Sequence, residues 1–220
     1  MKENTKNQET LNKDFKEPKL RLSKFKDKWI SCKLKEISQK INQKNDNGQI
    51  KLVLSNSAEN GLIPQNDFFD KDIVNEQNTF KYYVIKKGDF VYNPRKSNFS
   101  PWGPINMLDK YDVGIISPLY TCFRIKNSSI NRYLSWYFKT SKWYRYIYLN
   151  GDNGARGDRV SIKNVVFFDL PISIPQDLTE CIEISRLLDL VQVKLTTLKE
   201  KINTLKKYKK GLQQRLFLRQ

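Results

Sequence analysis

Apolar positions near the C-terminus recur at alternating steps of four and three. They are Ile184, Leu188, Val191, Leu195, Leu198, Ile202 and Leu205, and the series resumes at Leu212 and Leu216 with Lys209 in the seam between. A 3.5-residue period is that of a coiled-coil face. No Pro follows Pro175 and no Gly precedes Gly211 in this stretch, so the pattern predicts one helix over 177–217. At 1.5 Å per residue it spans roughly 50–60 Å, more than the width of a small domain. A stripe of that length needs a second long helix, from the same chain or another. The alternative is an ordinary amphipathic core helix, and a period kept for more than four heptads weighs against it. Asp177 is placed to cap the helix, with Glu180 completing an Asp-type capping box.

Upstream the pattern changes. Residues 1–17 are polar apart from Leu11 and Phe15, which predicts a disordered tail. Order begins at Pro18 to Leu22, with Phe25 and Trp29 as the first anchors. Leu34, Ile37 and Ile41 predict a short helix within 33–43, and Asn45 to Gly48 a turn. From Lys51 to Ser173 short apolar runs alternate with turn residues, giving candidate strands at 52–54, 82–85, 90–92, 113–116, 119–125 and 165–170. Lys86-Lys87-Gly88-Asp89 reads as a hairpin-type turn. Residues 130–149 are helical in spacing and rich in aromatics. Strands and helices mix without βαβ alternation, so the expected class is α+β: a globular mixed domain over 18–175, then a long coiled-coil helix over 176–220. No internal repeat is visible.

Charge changes this picture most. The chain of 220 residues has 40 Lys and Arg against 23 Asp and Glu, a net charge of +17. That balance favours a polyanionic partner, most simply nucleic acid. No run of 18 apolar residues suggests a membrane span and the N-terminus is polar, so no membrane partner and no signal peptide are expected. Cys32, Cys122 and Cys181 are odd in number and far apart, which argues against a disulfide frame or a zinc site and for reduced thiols in a cytoplasmic protein. The absence of His removes His-based triads and the commonest metal ligand. No cofactor or metal is expected.

Three constellations could carry function. Residues 86–97 end a strand in a loop with Asn93, Arg95, Lys96 and Ser97, side chains that hydrogen-bond phosphates and base edges; a solvated surface turn is the alternative. Residues 150–159 hold three glycines, Arg156 and Arg159, suited to close backbone approach and to guanine readout, or to a flexible connection. They match neither the P-loop nor the dinucleotide fingerprint. Third, nine Lys or Arg and one acid, Glu200, lie between Lys194 and Arg219. An excess of one sign this large suits DNA alongside or an acidic groove in a partner. The Asn/Asp-Pro-Pro-aromatic motif of amino-group methyltransferases is missing at Asn93-Pro94-Arg95. Nuclease-like clusters of carboxylates with Lys and Walker signatures are missing as well. The chain reads as a binding module, not an enzyme.

Taken in order, four stretches resemble the specificity (S) subunit of type I restriction–modification systems. Pro18-Lys19-Leu20-Arg21-Leu22 with Phe25 and Trp29 is similar to the Pro-x-x-Arg-Phe…Phe…Trp opening of a target recognition domain, with Leu22 in place of Phe. Lys87 to Asn93 followed by Gly114 to Tyr120 resembles the middle of that domain, and Gly154 to Arg159 its late loop. Lys206 to Phe217 resembles the end of the helical region. Asp177 to Cys181 departs from the Pro-x-x-Glu-Gln usual there.

The resemblance implies a DNA target recognition domain over 18–175 and a spacer helix over 176–220. It also implies that the chain is a half-size S subunit with one such unit. Its partners would be double-stranded DNA, an adenine methyltransferase (modification) subunit and a restriction subunit. The exposed seam of Ile184, Leu188, Val191, Leu195, Leu198, Ile202, Leu205 and Leu212 would make a homodimer or pair with another half S subunit. A homodimer would favour a symmetric interrupted target. Base contacts are expected from Arg95, Lys96, Ser97 and Asn98 and from Asn153, Arg156 and Arg159, with phosphate contacts from Lys86, Lys87 and Lys163. An alternative role for Arg156, Asp158 and Arg159 is a buried ion-pair group bracing the domain on the helix. The competing function is a basic coiled-coil protein that captures a methyltransferase or restriction partner without reading sequence.

Overall fold

A computed structural model of the protein describes residues 18–65, 76–153 and 157–217. The expected tail over 1–17 lies outside them, as does Arg156. The chain forms β1 (Trp29–Lys33), α1 (Leu34–Ile37), β2 (Ser38–Lys40), β3 (Val53–Ser57), β4 (Gly61–Pro64), a 3-10 turn (Glu76–Lys81), β5 (Tyr83–Lys86), β6 (Phe90–Tyr92), β7 (Ile105–Met107), β8 (Val113–Ile116) and β9 (Thr121–Ile125). A second 3-10 turn (Ser128–Ile130) leads into α2 (Asn131–Tyr137), α3 (Tyr144–Asn150), β10 (Asp152–Asn153), β11 (Val160–Ser161), α4 (Asn164–Phe168), β12 (Pro171–Pro175) and α5 (Leu178–Phe217). The α+β class and the long terminal helix are as the sequence predicts.

Two four-stranded sheets, β2-β9-β6-β7 and β4-β3-β8-β5, form two layers, and the helices form a third. The two-residue period of the middle sheet sets this order, because successive side chains face opposite layers. In β6, Phe90 and Tyr92 join the aromatic core under the helices while Val91 joins the core between the sheets. In β9, Phe123 and Ile125 face the helices and Cys122 the other sheet. Phe90 stacks on Phe123 with centroids 5.4 Å apart, and Tyr92 stacks on Phe167 at 4.8 Å.

Several expectations are corrected. Residues 165–170 are not a strand: 164–168 form α4, and Phe167 within it and Leu170 just after it turn inward while Val165 is exposed. An apolar run without alternation fits either element, and here an i, i+3 pair is what the core takes. The helix within 33–43 stops after four residues. Ser38 Oγ donates to the Leu34 carbonyl at 2.6 Å and β2 then pairs with β9. The turn at 86–89 is not a hairpin, since β5 pairs with β8 and β6 with β7 and β9. It carries the chain from one sheet to the other. Gly88 has φ +89, the left-handed conformation that glycine adopts freely. Asp89, 1% exposed, accepts from the Lys86 N–H at 2.6 Å and from Arg124 at 2.6 and 2.8 Å.

The base of α5 is fixed to the domain by charges that the hydrophobic pattern could not reveal. Asp177 caps the helix, accepting from the Thr179 N–H at 2.8 Å. Glu180 does not complete a capping box. Its carboxylate is fully buried and takes two hydrogen bonds from Arg21, at 2.8 and 2.7 Å, and one from Trp29 Nε1 at 3.4 Å. Higher up, Asp189 accepts from the Arg132 Nε at 2.8 Å and from Trp136 Nε1 at 2.9 Å. Cys181 and Ser185 are buried and Ile184 packs on the aromatic core. From Leu190 onward the helix leaves the domain, and every residue through Phe217 except Gly211 is exposed.

Candidate nucleic-acid interface

The two polar loops singled out in the sequence meet. The first leaves β6 at Asn93, 8% exposed. Its side chain donates to the Asn56 carbonyl at 2.9 Å and accepts from the Arg95 N–H at 3.0 Å. Asn56 in turn donates to the Val91 carbonyl at 2.7 Å and accepts from Asn106 at 2.7 Å. Three asparagines thus lock the root of the loop to both sheets, and the buried amides of Asn56 and Asn93 each donate and accept inside the protein, as buried polar groups require. Gly103 (φ +82) lies against this root, and a Cβ there would fall 2.0 Å from the Asn93 carbonyl oxygen. Beyond it, Ser97 and Ser100 exchange backbone hydrogen bonds at 3.0 and 3.1 Å, leaving Asn98 and Phe99 at the exposed tip.

The second loop runs beside the first. The Lys96 N–H donates to the Asp158 carbonyl at 2.8 Å and the Val160 N–H to the Pro94 carbonyl at 2.9 Å. Arg95 and Arg159 face each other across an antiparallel bridge. Directly opposed residues project on one face with Cβ atoms roughly 5 Å apart. Both arginines are exposed, and neither has an ion-pair partner among the described residues. Like charges so placed repel each other, and an anion between them would relieve the repulsion. A cleft of about 400 Å³ opens beside them, lined by Asn56, Glu59, Arg95, Phe99 and Tyr120 among others. A second, of about 260 Å³, continues past Tyr120 to Lys40 and Asn164.

The other expected site residues divide. Ser97 Oγ accepts from the Ser100 N–H at 3.1 Å, so it shapes the loop. Lys96 is half-buried with its Nζ 5.5 Å from the centroid of the Trp102 ring. The Asn153 backbone pairs with Val160. Lys163 is exposed at the start of α4. Lys86 and Lys87 lie at the other end of β6, about 10 Å of strand away, with Lys87 Nζ 3.8 Å from Asp112; the fold does not bring them to the arginine pair. The brace between domain and helix is Arg21–Glu180 with Arg132–Asp189, whereas Arg159 is exposed. Phe99 at the loop tip and Tyr120 between the clefts were not foreseen. A Phe closing the polar run Arg95-Lys96-Ser97-Asn98 was the available signal for the first, and only the tertiary arrangement reveals the second.

Among the described residues no group of His, Cys, Asp and Glu is placed to hold a metal ion, and no helix is long and apolar enough to cross a membrane. All three cysteines are free thiols. Burial pushes the Cys122 and Cys181 thiols up to about 12 and, with help from Glu36, that of Cys32 to about 11.

No family model and no curated protein matches the sequence. Solved structures do. One is a chain from a type I R-M system, described for its complex assembly and conformational transition. It matches with a TM-score of 0.56 at 12% identity, over 88% of this chain and 50% of that one. Another is the HsdS subunit from Thermoanaerobacter tengcongensis, with a TM-score of 0.49 at 18% identity, over 90% of this chain and 45% of that one. The chain therefore has the fold of a type I R-M system chain, and it spans about half the length of that relative.

Proposed function

We propose that the protein is a non-catalytic specificity subunit of a type I restriction–modification complex, reading one part of a bipartite DNA target. The observation that carries this reading is the Arg95–Arg159 pair: two exposed guanidiniums, brought together from loops far apart in sequence, on a domain with the fold of a type I R-M chain. Guanidinium forks reading guanine edges are the commonest specific contact in a major groove. Asn98 adds a side chain suited to adenine, Arg156 is a further candidate base contact, and Lys163 serves the phosphates. Lys86 and Lys87 belong to a different edge and act only on DNA that extends past the domain. Adenine methylation and restriction come from partner subunits. The spacer helix pairs with a second long helix, from a second copy or another S-type chain, and fixes the distance between two recognition domains. A net charge of +17 supports rapid association with DNA in the cytoplasm.

Selection from a pool of randomised duplexes tests this. The protein should enrich a defined motif, and Arg95→Ala or Arg159→Ala should relax one position of it at a cost of about 1–3 kcal/mol. Binding without any enriched motif would refute sequence reading and favour a partner-capturing role.

A further inference from the structure

Apolar side chains left in solvent on a folded domain mostly stand singly and carry no meaning. Phe99 and Leu119 share a setting that sets them apart. They are 69% and 61% exposed, and each stands third in a four-residue turn closed between its end residues. Around Phe99, Ser97 and Ser100 exchange backbone hydrogen bonds at 3.0 and 3.1 Å. Around Leu119, the Tyr120 N–H donates to the Ser117 carbonyl at 3.1 Å and the Leu119 N–H to Ser117 Oγ at 3.3 Å. Pro118 fixes φ at the second position of that turn. Both turns are closed before any partner arrives, so little conformational freedom is lost when one covers them.

Both also border the arginine pair. Phe99 lines the cleft that Arg95 lines, and Leu119 lines the one bounded by Pro94 and Val160, the chain neighbours of Arg95 and Arg159. Tyr120 belongs to both clefts. The face therefore presents two guanidinium forks with an apolar group in each adjoining cleft. A guanidinium pressed on a guanine edge replaces the water it displaces with its own hydrogen bonds. A phenyl ring or a leucine side chain cannot. Against an amino group, a ring nitrogen or a carbonyl it leaves that group desolvated and unpaired. The feature of a major-groove edge that gains from apolar contact is the 5-methyl group of thymine.

We propose that Phe99 and Leu119 are specificity-determining residues, each taking the 5-methyl group of a thymine beside the guanines read by Arg95 and Arg159. This rests on the reading of that face as the base-reading surface and names a base that it selects.

The test uses the full chain and the duplex motif that it enriches from a randomised pool. Thymines of the motif are replaced one at a time by deoxyuridine, which keeps every hydrogen-bonding group and lacks only the methyl. Fluorescence anisotropy should show binding weakened about 3- to 5-fold at each of two positions, the worth of one buried methyl. The variant Phe99→Ser should lose that sensitivity at one position and Leu119→Ser at the other. Each variant should bind the thymine duplex about as tightly as the wild type binds the matching deoxyuridine duplex, with no further loss when the two changes are combined. That non-additivity separates a methyl contact from a structural role, and both side chains are exposed enough for the variants to melt as the wild type does. A motif without thymine, deoxyuridine bound as tightly as thymidine, or variants that keep the wild-type sensitivity would overturn this inference and leave sequence reading by the arginines standing. Enrichment of no motif would overturn both.

Discussion

Replacing Arg21 by Met should destabilise the domain more than the loss of any surface charge. The Glu180 side chain is 0% exposed and that of Arg21 only 16%. The two make a forked pair at 2.8 and 2.7 Å. Without the guanidinium, the buried carboxylate keeps only the 3.4 Å bond from Trp29 Nε1. Removing one partner of a buried ion pair costs about 3–5 kcal/mol, whereas replacing both by apolar groups of similar volume is often neutral or better. The variant Arg21→Met should therefore lose about 3 kcal/mol, and Arg21→Met with Glu180→Met should recover most of it. Urea unfolding followed by tryptophan fluorescence reads this directly. With a slope of about 2 kcal/mol per M, the single variant's midpoint should fall by roughly 1.5 M. A loss below about 1 kcal/mol, or a double variant as unstable as the single one, would show that the pair is not what seats the helix on the domain.

Three further outcomes follow from the same geometry. Hydrogen bonds from Arg132, and then from Trp136, hold the Asp189 carboxyl below the usual carboxylate range. Its contribution is complete above the unfolded pKa of about 3.9 and is lost as pH falls through the lower folded value. Since both partners are over a third exposed, Asp189→Asn should cost no more than about 1 kcal/mol at neutral pH, and acid unfolding curves of the two proteins should converge at low pH. Cys122 and Cys181, buried and raised to about 12, should resist a thiol reagent in the native protein at pH 8 and react on unfolding. At Gly103, where φ is +82 and an added Cβ would meet the Asn93 oxygen at 2.0 Å, alanine should cost more than about 1 kcal/mol and should weaken DNA binding by shifting the 93–98 loop; wild-type melting and binding would refute its role as the loop's support.

The long helix was legible because a 3.5-residue period kept for several heptads has few other meanings. The central strand over 90–92 was legible too. The run at 165–170 was not, because its burial is decided by which helix turn meets the Tyr92–Phe123 core, and nothing local records that. The strands at 29–33 and 171–175 pair with each other across the domain, and neither shows alternation strong enough to announce itself. At the candidate interface, the polar loops stood out by composition. Their meeting at Arg95 and Arg159 depends on backbone bonds between residues more than 60 positions apart, which no local pattern encodes. Glu180 illustrates the limit most clearly. Three residues after an Asp cap, local rules assign it to the helix end, yet a distant arginine claims it.

If the Arg95–Arg159 face reads sequence on behalf of a methyltransferase, the sites methylated must depend on it. The most direct test is to co-express the chain with a candidate type I adenine methyltransferase subunit and to map methylated adenines across the host DNA. One interrupted motif should be methylated, absent without this chain and changed or lost when Arg95 and Arg159 are both replaced by Ala. The same motif methylated with and without the chain, or left untouched by the double replacement, would contradict that dependence.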